Sequence, residues 1–322
     1  MKAIRVEEVG GPEVLEYTDA PDPTPGPGEV VVEVAAAGLN FIDTYHRTGL
    51  YEVPLPFTPG GEGSGRVIGL GPDVSGIAVG DKVGWSGGLG SYAGRIVRPA
   101  DDLIPVPDHV SLETAAALFI QGLTAHYLAT DTYRLEPGSV CLIHAGAGGV
   151  GLLLTQIARV KGATVVTTVG SEEKAELSKE AGASEVILYR DVDFATELER
   201  RLGPRPIDVV YDGVGAATFE RGLDVLRPRG MMVTFGNASG PVPEIAPLVL
   251  SRKGSLFLTR PTLADYTSDR DERLGRTSDL FQWLTEGKLE VRIGAEYPLS
   301  DAADAHRALE GRKTTGKVLL RP

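Results

Sequence analysis

The chain has 322 residues, of which 42% are hydrophobic and 24% charged, and this length predicts about two domains rather than one core. The formal net charge of −12 disfavours non-specific binding to nucleic acid or to anionic membranes. The single cysteine, Cys141, excludes an intrachain disulfide and any metal site that needs several cysteines.

The targeting signals that would place a protein outside the cytoplasm are not evident. The start, MKAIRVEEVG, lacks the apolar run of a secretory signal peptide. No stretch of about 18 uncharged apolar residues predicts a membrane span. We therefore expect a cytoplasmic protein, and one cysteine, which we expect to be an inert core thiol, fits a reducing compartment.

The stretch before residue 111 predicts a β-rich domain. It contains short valine- and isoleucine-rich runs, such as 30–38, 65–71 and 91–99, separated by Gly and Pro. Such runs are typical of a small barrel-like sheet. The pattern then changes, because SLETAAALF combines a potential N-cap, Ser111, with an alanine-rich helical run.

Strands and helices alternate from residue 139 onward. SVCLIHA (139–145) predicts a buried strand, and GGVGLLLTQIARVKG (148–162) predicts a helix with one apolar face. The alternation continues to GSLFLTRP (254–261), which is the pattern of a doubly wound parallel sheet with helices on both faces, an α/β fold. The remaining residues predict two helices and a strand, GKVLL, which we expect to complete the first domain.

A glycine motif lies between the first strand and the first helix of this region. Gly146, Gly148 and Gly151 form G-x-G-x-x-G, with Gly149 and Val150 inside it. In this context the motif binds a dinucleotide pyrophosphate at the helix N-terminus. We expect Gly146 to allow a tight turn, Gly148 close approach of N–H groups to the phosphates, and Gly151 close helix–strand packing. A flexible glycine-rich loop is the alternative.

The end of the second predicted strand favours NADP over NAD. NAD-binding proteins usually carry an acid here for the ribose hydroxyl, whereas this chain has Gly170 and Ser171. Lys174 follows about one helical turn later, and Tyr189 and Arg190 follow the third strand. A cation and hydroxyl donors are therefore available for a 2′-phosphate, although two adjacent glutamates oppose this interpretation.

Several segments resemble one known family. They are AAAGLNFIDTYHRTGLY (35–51), PFTPGGEGSGRV (56–67), FIQGLTAHYL (119–128), HAGAGGVGLLLTQIA (144–158), VVYDGVG (209–215), MVTFGNASG (232–240) and GSLFLTRP (254–261). On these segments the chain resembles the quinone oxidoreductases, the zeta-crystallin-like branch of the medium-chain dehydrogenase/reductase superfamily. The resemblance implies a GroES-like catalytic domain at 1–122 and 266–322 and a Rossmann NADP-binding domain at 123–265. It also implies an active site in the cleft between them, and a homodimer.

The resemblance further implies which residues act. Asn40, Tyr45 and Tyr51, in a glycine-containing loop region after a strand, match residues that line the nicotinamide and substrate cleft. Thr124 matches a residue near the nicotinamide. The matched cofactor contacts are Gly170, Ser171, Lys174 and Tyr189 around the 2′-phosphate, and Val214, Phe235, Gly236, Asn237 and Arg260 elsewhere. Gln121 departs from close relatives, which often have lysine there.

The run PGGEGSGRV (59–67) differs from its equivalent in the zinc-dependent members of the superfamily. Those proteins carry a zinc-binding histidine where Gly61 stands and a cysteine near Asn40. No two of the five histidines lie at metal-ligand spacing, so we expect no metal. Glu62 remains from the pattern, either as an acid in the cleft or, as we favour, as a buried turn residue that accepts backbone hydrogen bonds.

The expected activity is reduction of a quinone by NADPH. Without a Lewis acid the oxidation of an alcohol is difficult, whereas a quinone is already electron-poor. The proton would come from solvent or from a hydroxyl near Asn40, Tyr45 and Tyr51, and Asn40 could donate a hydrogen bond to the acceptor oxygen. One-electron transfer to a quinone also stays open.

Two other functions stay open. An NADPH-dependent enone, alkenal or enoyl reductase would use the same cleft. RNA binding or a crystallin-like role, known among relatives in this branch, belongs to another class. An RNA-binding groove would be basic, and the pI near 5.0 argues against one.

Overall fold

The computed structural model describes all 322 residues, which form two compact units. The first unit comprises Met1–Gln121, Ser268–Phe281 and Val291–Pro322. The second comprises Gly122–Thr267 and Gln282–Glu290. None of the helices combines the length and the hydropathy that crossing a membrane requires.

The regular elements are numbered in chain order. The strands are β1 (Lys2–Arg5), β2 (Glu16–Asp19), β3 (Glu29–Leu39), β4 (Glu62–Leu70), β5 (Lys82–Ser86), β6 (Arg95–Pro99), β7 (Ile104–Pro105), β8 (Val140–His144), β9 (Thr164–Val169), β10 (Glu185–Leu188), β11 (Ile207–Asp212), β12 (Leu226–Thr234), β13 (Phe257–Thr259), β14 (Ile293–Pro298) and β15 (Lys317–Arg321). The α-helices are α1 (Phe41–Thr48), α2 (Leu112–Tyr127), α3 (Gly149–Val160), α4 (Glu172–Glu180), α5 (Phe194–Leu202), α6 (Phe219–Val225), α7 (Pro247–Arg252), α8 (Arg270–Thr285) and α9 (Ala302–Glu310).

The first unit is built on a seven-stranded sheet in the order β14-β15-β3-β4-β5-β7, with β6 paired to β3. The long strand β3 pairs antiparallel with β4, β6 and β15. Its inward valines pack with Trp85 and Tyr92 in one apolar core. The predicted β-rich fold is thus confirmed. β14 was not predicted, because its residues alternate between half-buried and exposed and form no apolar run.

The segment after β3 is helical, so the prediction of a loop there was wrong. Its start is stabilised because the Asn40 N–H donates to Oδ2 of Asp43 at 2.8 Å, and its end is marked by Gly49 at φ 78°. The predicted helix cap at Ser111 is confirmed. Its Oγ accepts from the Thr114 N–H at 3.0 Å, at the start of α2.

The second unit contains a six-stranded parallel sheet in the order β10-β9-β8-β11-β12-β13. Counted from β8, this is the order 3-2-1-4-5-6 of a doubly wound dinucleotide-binding fold, which confirms the predicted fold class. Cys141 lies inside β8 and is fully buried. Burial raises the pKa of its thiol to about 12, as expected of an inert core residue.

The two units differ from the predicted domain boundaries by one residue at 122, by two at 266–267, and by a whole segment at residues 282–290. These residues belong to the second unit, whereas the predicted division placed them in the first. Their contacts give the reason. The Trp283 ring stacks on His126 at 5.5 Å, and the Gln156 side chain bonds both the carbonyl and the N–H of Glu290. Such long-range packing has no signal in the local pattern.

Candidate functional site

The predicted cofactor residues all follow carboxyl ends of parallel strands. β8 is followed by Gly146–Gly151, β9 by Gly170–Lys174, β10 by Tyr189, β11 by Val214, β12 by Phe235–Asn237 and β13 by Arg260. The carboxyl ends of parallel strands share one edge of the sheet, so these residues share it too. In this topology ligands bind at that edge, where the strand order reverses between β8 and β11.

The glycine motif packs as a close strand–helix turn. A Cβ on Gly146 would lie 2.6 Å from the Cβ of Thr167 in β9, and a Cβ on Gly151 would lie 2.3 Å from the Ala145 carbonyl oxygen. The left-handed residue of the turn is Ala145, at φ 55°, and not Gly146. The role expected for Gly146 is therefore corrected. Its missing side chain allows contact with β9 rather than the turn itself.

The start of α3 suits a phosphate group. Gly148 is the N-cap, in extended conformation, and no side chain caps the helix. The N–H groups of Gly149, Val150 and Gly151 open the helix, where N–H groups have no intrahelical acceptor. Together with the helix dipole they form an anion-binding end, which the pyrophosphate of a dinucleotide fits.

A methyl group on Gly151 is expected to weaken cofactor binding. The Gly151→Ala variant would place Cβ against backbone at 2.3 Å, so α3 would have to move away from β8. We expect the Kd for NADPH, measured by fluorescence titration, to rise about tenfold or more. Gly275→Ala is the matched control, because Gly275 is an exposed helical glycine whose added Cβ meets nothing within 4 Å. An unchanged Kd in Gly151→Ala would contradict close packing of this loop.

The ends of β9 and β10 bring together the residues predicted for the 2′-phosphate. A Cβ on Gly170 would lie 2.8 Å from Oη of Tyr189 and 3.3 Å from Nε of Arg190. Ser171 is the N-cap of α4, and its Oγ accepts from the Lys174 N–H at 3.4 Å. A hydroxyl donor, a guanidinium and a helix N-terminus therefore surround Gly170, and the second strand ends without an acid.

The loops after β11 and β12 pack backbone to backbone. A Cβ on Gly236 would lie 2.5 Å from the Gly213 carbonyl oxygen, so only glycine fits there. Buried Asp212 accepts from the Val214 N–H at 2.7 Å, and its carbonyl accepts from the Phe235 N–H at 2.8 Å. The Asp212 carboxylate thus holds Val214, the Asp212 backbone carbonyl holds Phe235, and the close approach to Gly213 fixes Gly236. Sequence reasoning did not single out Asp212.

In the first unit, Asn40 lies in a buried polar cluster. Its Nδ2 donates to Oε1 of Glu62 at 2.7 Å and to the Gly38 carbonyl at 3.3 Å. Its Oδ1 accepts from Nζ of Lys317 at 2.9 Å. Both amide hydrogens are therefore already engaged, which argues against the expected donation by Asn40 to an acceptor oxygen.

Glu62 is fully buried at the first position of β4. Its Oε2 accepts from the Ile120 N–H of α2 at 2.7 Å, which fits the favoured interpretation of a buried acceptor of backbone hydrogen bonds. It also forms an ion pair with the equally buried Lys317, which was not predicted. The sequence did contain a signal for this pair, because Lys317 begins the apolar strand β15. A lysine in such a strand is almost never fully buried unless it is paired with an acid.

A second buried chain of hydrogen bonds lies next to this cluster. Nη1 of Arg47 lies 3.0 Å from Nδ1 of His306, and Nε2 of His306 lies 3.2 Å from Oη of Tyr92, which donates to Oδ2 of Asp43 at 3.1 Å. A guanidinium only donates, so Nδ1 of His306 accepts and its proton sits on Nε2. The bonds therefore all run from Arg47 towards Asp43. Glu310 pairs with Arg47 at 2.8 Å.

The electrostatics of this chain follow from its burial. Loss of solvation raises the pKa of Asp43 to about 7, although the Asn40 N–H acts in the opposite direction. Burial, helped by the charge on Arg47, lowers the pKa of His306 to about 3, so the ring is neutral. Burial also raises the pKa of Tyr92 well above its ordinary value, so the phenol keeps its proton.

The two predicted tyrosines contact each other at the end of α1. Their rings meet edge to face, with 5.2 Å between centroids, and the Tyr51 N–H donates to the Tyr45 carbonyl at 3.1 Å. The neighbouring His46 is a half-buried residue of α1, and burial lowers its pKa. Thr124 lies in the second unit, buried on α2.

Gly61 stands where other superfamily members have their zinc-binding histidine, and neighbouring residues pack closely around it. A Cβ on Gly61 would lie 3.4 Å from Cδ1 of Ile120 and 3.5 Å from the Gly88 carbonyl oxygen. The neighbouring carboxylate of Glu62 is committed to its ion pair. No group of three or more His, Cys, Asp and Glu side chains is arranged to hold a metal ion.

Comparison with known proteins places both units in known families. The family model "Alcohol dehydrogenase GroES-like domain" matches residues 26–108, and "Zinc-binding dehydrogenase" matches residues 149–269. A quinone oxidoreductase of Pseudomonas aeruginosa is 43% identical over 100% of this chain and 99% of its own. A 2-haloacrylate reductase of Burkholderia is 39% identical over 98% of each chain.

A solved structure extends the likeness to the fold. The quinone oxidoreductase of Escherichia coli, solved with NADPH, superposes with a TM-score of 0.98 at 42% identity and covers 100% of both chains. The similarity thus extends over both units from end to end. The chain belongs to the quinone oxidoreductase family of the medium-chain dehydrogenase/reductase superfamily.

Proposed function

We propose that this protein reduces quinones with NADPH and without a metal ion. The observation that carries the proposal is the full-length similarity to quinone oxidoreductases, one of them solved with NADPH. The sheet edge adds support, because a helix start without a side-chain cap lies along it, as do the Tyr189 hydroxyl and the Arg190 guanidinium beside Gly170.

The cofactor would be held along the carboxyl edge of the second unit. The first-turn N–H groups of α3 bind the pyrophosphate, as is usual for this motif. Ser171, Lys174 and Tyr189 bind the 2′-phosphate, and the nearby guanidinium of Arg190 adds charge. Val214, Phe235, Gly236, Asn237 and Arg260 complete the contacts on the other side of the sheet edge.

Bound NADPH supplies a hydride from its nicotinamide ring. The quinone takes up that hydride and one proton and becomes a hydroquinone. Tyr45 and Tyr51, whose rings contact each other, supply aromatic side chains on the acceptor side and hydroxyls that can hand on a solvent proton. In the second unit, Thr124 carries a hydroxyl that we assign to the nicotinamide side. Asn40, with its hydrogens engaged, shapes this region rather than donating to the acceptor.

The assay that tests this proposal uses purified, chelator-treated protein. NADPH is mixed with 1,4-benzoquinone or 9,10-phenanthrenequinone, and loss of the nicotinamide absorbance is followed, with NADH in parallel. NADPH-selective turnover that the chelator does not change is the expected result. Absence of turnover with quinones, while NADPH still binds, would refute quinone reduction.

Activated alkenes are the second candidate acceptors. The relative that is named a 2-haloacrylate reductase supports them, since its chain matches almost end to end. Such an alkene is electron-poor, as a quinone is, and would take a hydride and a proton at neighbouring carbons. Running 2-chloroacrylate and an alkenal in the same assay compares the two classes of acceptor directly.

We also propose a cytoplasmic homodimer. One buried cysteine needs no oxidising compartment. β13 is an edge strand of the parallel sheet, and Phe257, which lies on it, is 57% exposed. Pairing of two β13 edges across a two-fold axis would cover this edge and its phenylalanine.

A charge on this edge is expected to dissociate the dimer. The Phe257→Lys variant would bury an unpaired ammonium at the interface, so the mass from light scattering should fall towards that of one chain. Val79→Lys is the control, since Val79 is 61% exposed but lies in the first unit. A dimer that survives Phe257→Lys would place the contact elsewhere.

A further inference from the structure

The ion pair between Lys317 and Glu62 calls for an explanation other than stability. Both side chains have 0% exposure, so both charges have lost their water. Replacing a buried ion pair by neutral side chains of similar volume is often neutral or stabilising, because desolvation offsets the Coulomb attraction. The two charges therefore need a role that neutral groups could not fill.

Their geometry supplies such a role, because together they dictate how the Asn40 amide points. An ammonium only donates, so Nζ of Lys317 requires Oδ1 of Asn40 on its side, at 2.9 Å. A carboxylate only accepts, so Glu62 requires Nδ2 on its side, at 2.7 Å. Rotating the amide by half a turn would set donor against donor and acceptor against acceptor.

The same pair also ties down the elements around Asn40. The Asn40 N–H holds the start of α1 through Asp43, and α1 carries Tyr45. The second oxygen of Glu62 holds the Ile120 N–H in α2. One carboxylate thus connects β15, the N-cap of α1 and the middle of α2.

We propose that Lys317 and Glu62 are positioning residues for the reduction, holding the Asn40 amide and the start of α1 in a single arrangement. The inference rests on the proposed function, since it takes the region of Asn40 and Tyr45 as the acceptor side. Neither residue needs to touch the acceptor. Their charges fix the orientation of the Asn40 amide and the position of α1. Every bound quinone therefore meets the same arrangement of side chains, which favours the reaction.

The test removes both charges at once. In the Glu62→Gln/Lys317→Met variant the Gln carbonyl oxygen can still accept from the Ile120 N–H, which turns its NH₂ towards Asn40. The charged acceptor and donor that hold the Asn40 amide in the wild-type orientation are then both gone. We expect a urea midpoint close to wild type and a Kd for NADPH within about twofold, because no charge is left unpaired. We expect kcat/KM for the quinone to fall about tenfold or more, mainly through kcat.

The control is a second double variant that also removes an ion pair made by β15. Glu113→Gln/Arg321→Met removes an ion pair of 2.9 Å between α2 and β15 that is partly exposed and does not contact Asn40. It should leave kcat unchanged. Wild-type kcat in the Glu62→Gln/Lys317→Met protein would overturn the proposal, since a purely structural pair predicts that result.

A second readout does not depend on activity. The chain has two asparagines, Asn40 and Asn237, so asparagine labelled with ¹⁵N gives two side-chain NH₂ signals, assigned with Asn237→Asp. The Asn40 signal should be protected from exchange in wild type and lose protection in the double variant. Protection that persists in the double variant would also overturn the proposal. Wild-type protein that is inactive towards quinones would instead refute the proposed function, while the NMR signals still decide the orienting role.

Discussion

Replacing Gly170 by aspartate is expected to lower kcat/KM for NADPH about a hundredfold and to raise it for NADH. A side chain at this position meets Oη of Tyr189 at 2.8 Å and Nε of Arg190 at 3.3 Å from its Cβ. It would displace both groups and set a carboxylate where the 2′-phosphate is proposed to bind. Two charge-assisted contacts, at about 1.5 kcal/mol each, correspond to about a hundredfold.

The gain with NADH has a separate cause. A carboxylate at the end of the second strand of such a fold accepts hydrogen bonds from the free ribose hydroxyls of NADH. Gly170→Ala therefore serves as the matched control, because it adds the Cβ that displaces Tyr189 and no charge. Gly170→Ala should lower kcat/KM for NADPH without raising kcat/KM for NADH, with both values measured using the same quinone. Unchanged NADPH preference in Gly170→Asp would exclude this cluster as the 2′-phosphate site.

The Asp43→Asn variant is expected to gain stability relative to wild type as the pH rises from about 5 to 8. The pKa of folded Asp43 is about 7, whereas an unfolded aspartate has its ordinary value of 3.8. Between these values the folded state binds more protons, so its stability falls as pH rises. Well inside this window each pH unit removes on the order of 1 kcal/mol, and the slope levels off near pH 7, so about 2 kcal/mol is lost from pH 5 to pH 7.

His306 contributes the opposite slope. Its pKa is lowered from 6.5 to about 3, so the unfolded state alone takes up this proton and stability is lost as pH falls below 6.5. In wild type the two slopes offset each other between about pH 4 and 6.5. In the Asp43→Asn variant only the His306 effect remains, so the variant loses stability as the pH falls below about 6.5.

Urea unfolding at about pH 5, 6 and 8 measures this difference. Asp304→Asn is the control, since it removes an exposed carboxylate from α9, the helix that carries His306. A difference between Asp43→Asn and wild type that stays constant across pH would show that Asp43 is not the group that titrates in this window.

The alternation of strands and helices in the second unit and the place of the phosphate loop followed from the sequence because their signals are local. A continuous apolar strand, three spaced glycines and an amphipathic helix lie within residues 139–162. The cap at Ser111 likewise depends on a residue three positions away. The prediction failed at α1, where a glycine-containing segment was taken for a loop. A helix begins there because the Asp43 carboxylate accepts a hydrogen bond from the Asn40 N–H.

The polar clusters of the first unit could not be predicted, because they join residues that are distant in the chain. Lys317 reaches Asn40 across 277 positions and Glu62 across 255, and Arg47 reaches His306 across 259. No periodicity connects such positions, and each residue alone is an ordinary charged or polar side chain. The sequence by itself determined the fold class and the phosphate loop, through contacts within one strand–turn–helix unit. Only the tertiary structure decided which charges were buried together, because burial and pairing depend on the packing of β4, β15, α1 and α9.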